Sequence, residues 1–456
     1  MTYSVYAPNV HIFSFQLRDG KDDDRVWEQC RSLFEEQKID TEFNPRSPQP
    51  GTRENLLSNN EIISFETPID AGENDNKITG CVDALQLYDS YALALNLRVD
   101  EEDKQGKKSA NVDVSIFSKL HASIESNLGS AIVLTVWLLP EQQCDRTCWR
   151  EVADECVSSF FSGVETSPQF FQEGMLFDSP IFEYGNPYRD DTHSVFVWLF
   201  LGEPKDDRYA ATAEDNFINC DRLFVDLFFY RQKVIVAYQQ SRETYHDIAE
   251  SYHKIKDTVS AIVPQLPDGE TSNLQIGNAE LANFQNQLKT LPKLDLDYAN
   301  WLGELERDRL TIDINAGNYN TKLQQIKKEV GDDSIPFLAE FGDRICPNFQ
   351  QQLVADIGYF SLRTGTIEKT IAAIRGIVEI ERSRTEKELK HTIEALGLGV
   401  GAGAIVASTS GLMTQPWQRD RPFYFHPFFV GLTASFVVAI AVWQLAKRWL
   451  QKRDRV

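Results

Sequence analysis

A chain of 456 residues has room for about three domains of average size and a sizeable core. Its composition, 42% hydrophobic and 25% charged, excludes a wholly disordered chain, a collagen and a small disulfide scaffold. With 68 Asp and Glu against 46 Lys and Arg, the net charge of −22 argues against non-specific nucleic-acid binding, because phosphates need a basic face.

Residues 1–215 alternate strand-like and helix-like segments. Val10 to Leu17 and Leu93 to Leu97 have the period of two expected of half-buried strands. Ala131 to Leu139 and Val195 to Leu201 are continuous apolar runs, as in strands buried on both faces. Asp24 to Gln37, Val112 to Ile124 and Arg146 to Phe161 read as amphipathic helices. Polar breaks at Asn44 to Thr52 and Gly202 to Asp207 mark surface loops. The class expected is α+β, close to α/β, with a mostly buried sheet.

Residues 216–348 become helical. Phe217, Cys220, Phe224, Phe228, Ile235 and Tyr238 form a helical stripe, which continues into a seven-residue echo, ETYHDIA then ESYHKIK. Glu243 with His246 and Glu250 with His253 each resemble half of a carboxylate-bridged metal site. One heptad holds the two histidines about 10.5 Å apart, so an amphipathic or coiled-coil face is the reading taken. Breaks at PQLPDGE, INAGNYN and GDDSIP are expected to separate shorter helices.

Residues 349–394 carry a heptad seam: Leu353, Ile357, Phe360, Thr364, Ile367, Ile371, Ile374 and Val378, with Thr364 its one polar member. The seam predicts helix association, and a helix from 349 to about 413 would run close to ~100 Å.

The last 66 residues differ from the rest. Residues 391–456 carry seven Lys and Arg and three Asp and Glu, a net of +4, which leaves −26 for residues 1–390. Two uncharged stretches, 395–414 and 427–446, are each 20 residues, about 30 Å as helices and the thickness of a bilayer core. Phe423, Tyr424, Phe425, Trp443 and Trp449 stand near the ends of the second as interface anchors would. In the first, Gly399 with Gly403 and Gly397 with Gly401 form Gly-xxx-Gly pairs suited to close helix packing. A short loop, 415–426, separates the two, and a basic tail, 447–456, follows them. The expectation is therefore an integral membrane protein of the plasma or inner membrane, with two C-terminal transmembrane helices in contact with the lipid bilayer. The positive-inside rule places its head and C-terminus in the cytoplasm.

On the reducing side of a membrane the seven cysteines are expected as free thiols, and Cys144 and Cys148 lack a histidine neighbour for a zinc site. Asp19, Asp22, Asp23 and Asp24 crowd one loop, and Asp190 with Asp191 another. Loose carboxylate clusters of this kind are weak candidates for Mg²⁺ or another divalent cation, and Asp22, Asp23 and Asp24 are the ones singled out. Walker, nucleophile-elbow and zinc-protease motifs are absent, so no enzyme is expected.

The order of acidic head, stalk, span, short loop, span and basic tail resembles the CorA-type divalent-cation transporters. The resemblance implies a homo-oligomer, a pentamer in that family, with a pore lined by the stalk and first span. It places the selectivity region at Ser410-Gly411-Leu412-Met413-Thr414, where Gly411 and Met413 match the family's Gly-Met-Asn loosely and the Asn is absent. Ser408, Thr409 and Thr414 would add hydroxyl oxygens at the mouth, with Leu412 between them. The alternative is a membrane-anchored sensor, effector or scaffold whose head binds a soluble ligand or partner without transporting ions.

Overall fold

The computed structural model describes residues 3–18, 24–46, 51–58, 62–70, 77–99, 110–164, 167–189, 193–202, 212–262, 278–331, 335–410 and 427–453. Ten strands form one sheet. They are β1 (Ser4–Leu17), β2 (Arg53–Asn55), β3 (Ile63–Asp70), β4 (Lys77–Leu87), β5 (Ser90–Val99), β6 (Val112–Asp113), β7 (Ser130–Trp137), β8 (Phe170–Leu176), β9 (Ser179–Tyr184) and β10 (His193–Phe200). The order is β2-β4-β5-β1-β7-β10-β9-β8, with β3 on β4 and β6 on the start of β1. Among the described residues, only β7 and β10 pair in parallel; the other pairings are antiparallel.

Alternation along β1 sorts its side chains to two faces. Val10 and Ile12 join a core with Val26, Trp27, Cys30 and Phe34 of α1 (Arg25–Glu36). Val152, Cys156 and Phe160 of α3 (Arg146–Phe160) complete that layer, and the short α2 (Pro140–Gln143) precedes it. His11, Phe13 and Phe15 point to the other face. Phe13 lies 5.5 Å from Phe228 and Phe15 lies 5.6 Å from Phe229, ring to ring. Those partners belong to α5 (Asp221–Ile262), which follows α4 (Ala213–Asn219). Asp215 of α4 completes a capping box with Thr212, which fixes the start of that helix.

The phase of β1 is set by a bulge. The register against β7 shifts between Tyr6 and Asn9, where Ala7 has φ +49 and Pro8 follows. Pro8 has no amide hydrogen to donate, and an unpaired bulge residue is where a sheet tolerates proline.

Two buried carboxylates fasten helices to this sheet. Asp226 of α5 accepts from Arg53 Nε of β2 at 3.1 Å and from Lys322 Nζ at 2.9 Å. Lys322 belongs to α6 (Asn278–Val330). Glu183 of β9 pairs with Arg231 of α5 and also accepts from Gln172, with both charges almost wholly buried. The Arg231 guanidinium lies 4.1 Å over Phe341, in a π-helical turn Phe341–Ile345 between α7 (Pro336–Glu340) and α8 (Cys346–Ser410).

The chain divides into two compact units. The first, residues 1–249 and 300–361, holds the sheet, its covering helices and the adjoining parts of α5, α6 and α8. There Tyr238 stacks on Phe349 at 3.7 Å, and Arg242 pairs with Asp356 at 2.5 Å. The second, residues 250–299 and 362–456, holds the remaining parts of those three helices and α9 (Pro427–Arg453). Its core includes Ile255, Leu291, Tyr298, Ile367, Ile371, Ile374 and Val378.

Several expectations need correction. The two C-terminal transmembrane helices, the membrane placement and the plasma-membrane localisation are not supported: among the described residues, no helix is long and apolar enough to cross a membrane. In the first expected span, Gly399 and Gly403 of α8 pack against α9, and the end of that span, 411–414, lies outside the described residues. In α9, Thr433, Ser435 and Gln444 interrupt the apolar run, and Lys447, Arg448, Lys452 and Arg453 occupy the same helix. The architecture is a large mixed-sheet domain with long helices. Within the sheet domain, the expected helix Val112–Ile124 is instead a two-residue strand and a 3₁₀ turn, Val114–Ser118, capped by Asp113. INAGNYN does not break a helix. It lies inside the 53-residue α6, where Ala316 and Tyr319 are buried and the Asn315 amide donates to the Thr311 carbonyl.

Candidate binding cleft

A cleft of about 650 Å³ opens between the helical face of the sheet and the start of α5. The bulge in β1 sets the alternation that brings Asn9, His11 and Phe13 to it. Equivalent positions on neighbouring strands add Cys81 and Asp83 from β4, Asn96 and Arg98 from β5, and Thr135 from β7. From the helical side come Glu214, Phe217, Asp221, Arg222 and Val225. Arg46, Arg53 and Asn55 close one end.

The floor is aromatic. His11 meets Phe217 edge-on at 4.8 Å, and Phe217 meets Trp198 and Phe224 at 5.5 and 5.0 Å. The walls are polar and hydrogen-bonded. Asn96 donates to the Asn9 side chain and to the Val10 carbonyl, the latter at 3.2 Å, and sits 3.2 Å from His11 Nδ1. Asn55 Nδ2 donates to Asp83 Oδ1 at 2.6 Å, and Trp137 Nε1 donates to Glu214 at 3.0 Å.

Burial governs the titration of these groups. Burial, with the Arg98 charge adding, pushes His11 down to about 3, so its imidazole is neutral at physiological pH. Burial raises the Asp83 and Asp221 carboxyls above the usual range; Asn55 and nearby arginines oppose this in part. Burial also raises the Cys81 thiol, which keeps it protonated. The cleft therefore offers amides, a neutral imidazole, hesitant carboxylates and guanidinium groups over an aromatic base.

The chain matches no family model, and a search of curated proteins finds no match.

The residues singled out from sequence lie elsewhere. Gly411, Leu412, Met413 and Thr414 fall outside the described residues, as do Asp19, Asp22, Asp23, Asp190 and Asp191; of Ser408 and Thr409 only the helical backbone is described. Asp24 is the exposed residue before α1, and its carbonyl accepts from Trp27 and Glu28. Among the described residues, no group of three or more His, Cys, Asp or Glu could hold a metal ion. All seven cysteines are free. His246 and His253 are exposed on α5, while Tyr245 meets Phe360 and Tyr252 meets Tyr298.

Of the four glycines, Gly399 and Gly403 face α9: an added Cβ would fall 2.8 Å from the Ala439 carbonyl oxygen and 2.9 Å from Ala439 Cβ, respectively. Gly397 and Gly401 have open space. The seam residues Leu353, Ile357, Phe360, Ile367, Ile371, Ile374 and Val378 are buried within this one chain, and Thr364 is half-buried with an unpartnered hydroxyl. Sequence reasoning missed the cleft because its residues come a few at a time from six strands and two helices that lie far apart in the chain. The available hint was a strand pattern placing Asn9, His11 and Phe13 on one face.

Proposed function

We propose that the protein is a small-molecule-binding sensor whose cleft recognises a polar, ring-bearing ligand of nucleoside size. One observation carries this reading: an aromatic floor at His11 and Phe217 lies beneath converging amides and carboxylates in a cavity of about 650 Å³. Clefts of roughly 300–1,000 Å³ that combine apolar lining with a few placed polar groups are the usual form of a ligand site. Binding without turnover is proposed, because a neutral His11 and a protonated Cys81 are poorly prepared for acid–base or nucleophilic work. The first turn of α5 lines the cleft, and the helix continues unbroken for 42 residues, which suits a sensing element. Ion conduction through two C-terminal helices is not proposed, since among the described residues no helix is long and apolar enough to cross a membrane.

The test is calorimetry of the full chain with nucleosides and their free bases. A dissociation constant below about 100 μM for at least one of them is expected, with a loss of tenfold or more in Phe217→Ala and in Asp221→Ala. If no compound binds at millimolar concentration, or neither variant changes the affinity, the proposal fails.

A further inference from the structure

A second cavity, of about 1060 Å³, lies in the same compact unit. Its walls come from the end of β1 at Leu17 and Arg18, the β4–β5 turn at Tyr88 and Asp89, and two helices. From α5 come Phe229, Tyr230 and Lys233; from α6 come Arg307, Asp308, Thr311 and Asn315.

Its charges divide into those that are satisfied and those that are not. Lys233 Nζ reaches both Asp89 oxygens at 2.6 Å, and Arg307 pairs with Glu304 at 3.5 Å on an exposed stretch of α6. Asp308 is 6% exposed, and no hydrogen bond or ion pair satisfies its carboxyl among the described residues. Nε of Arg18 is buried and also unpartnered, although the guanidinium sits 5.1 Å from the Tyr91 ring. Buried charged groups are almost always paired, because leaving one without a partner forfeits its hydration with no return. One cavity is thus lined by a carboxylate and a guanidinium, neither of them in an ion pair among the described residues.

We infer that this cavity binds a small zwitterion, with an ammonium donating to the Asp308 carboxylate and a carboxylate pairing with the Arg18 guanidinium. A single ligand of that class satisfies both groups, whereas a simple cation or anion satisfies one. Asn315, Thr311 and the Tyr230 ring supply amide, hydroxyl and apolar surface for the body of such a molecule. With nothing bound, burial pushes the Asp308 carboxyl up to about 6, the Arg307 charge opposing this and Glu304 adding to it. The class runs from free amino acids to short peptides, and the spacing of the two charges is what the experiment measures.

The full chain is titrated calorimetrically at pH 7.5 with glycine, β-alanine, 4-aminobutyrate, 6-aminohexanoate, glycylglycine and triglycine. Butylamine and butyrate are the single-charge controls. At least one zwitterion is expected to bind ten times or more tightly than either control. Asp308→Asn and Arg18→Gln are each expected to weaken it at least tenfold, while Lys254→Gln, on exposed α5 surface, stays within twofold. Asp308→Asn removes an unpaired charge, so it should melt no lower than the parent, which separates lost binding from lost folding. Should Arg18→Gln fail to fold, Arg18→Lys keeps the charge without the forked guanidinium donor and must also weaken binding. The inference is overturned if no zwitterion binds at millimolar concentration, if butylamine binds equally well, or if affinity is indifferent to Asp308→Asn.

Discussion

Replacing Asp308 by Asn should make the empty protein more stable at neutral pH. A carboxyl whose value rises from 3.8 to about 6 on folding is harder to ionise in the folded chain by about 3 kcal/mol, at 1.36 kcal/mol per pH unit. The cavity is open on one side, so water screens part of this and about 2 kcal/mol is the working figure. Because the folded form holds its proton more tightly than the unfolded form, the group's contribution to stability is fully present below pH 4. It is lost as the pH rises through about 6 and stays lost above that. The variant cannot ionise and does not suffer the loss. Urea denaturation of parent and variant at half-unit steps from pH 4 to pH 8 isolates the effect as a difference curve. The curve should lie near zero at pH 4, climb between pH 4 and pH 6.5, and level off at about 2 kcal/mol in favour of Asn. A flat curve, or one favouring Asp at pH 7, would refute the claim that this carboxylate stands buried and unpaired.

Other expectations are equally direct. Arg231→Met leaves Glu183 buried without its partner and should cost about 3–5 kcal/mol by chemical denaturation, while Arg231→Met with Glu183→Leu should recover most of it. Gly399→Ala places a methyl 2.8 Å from the Ala439 carbonyl oxygen and should lower the melting temperature; Gly401→Ala, in open space on the same helix, should gain about 0.5–1 kcal/mol. Thr364→Val removes a buried hydroxyl with no partner and should stabilise by about 1 kcal/mol in the same denaturation assay.

Local pattern was readable where one physical signal dominated. Arg146 to Phe161 and Asp24 to Gln37 are amphipathic enough that their helices lie within two residues of the expected ends. The apolar runs at Ala131 and Val195 became adjacent buried strands, though nothing in them announces that they pair in parallel. The seam from Leu353 to Val378 was legible as a buried stripe, but a heptad does not say whether its partner is a second copy or the same chain; here the single chain already covers it. The 314–320 stretch misled because Asn and Gly weaken an isolated helix, whereas burial of Ala316 and Tyr319 outweighs a propensity loss of about 1 kcal/mol. The C-terminal stretches misled in the opposite direction. Apolarity along 20 residues read as two membrane spans, although the packing role read for Gly399 and Gly403 holds, since both meet α9 at Ala439. Neither cavity was legible, since each depends on which residues of distant strands and helices converge.

The bulge at Ala7 and Pro8 gives the central strand a frame, in the sense that a message has one. Every residue after it owes its side of the sheet to that single extra position. Deleting one residue there would exchange Asn9, His11 and Phe13 for Val10, Ile12 and Ser14, driving polar groups into the apolar layer and aliphatic ones into the cleft. Deleting two would restore the parity. The strand should therefore tolerate length changes at this point only in even numbers, and the loss of one residue should be more damaging than the loss of two.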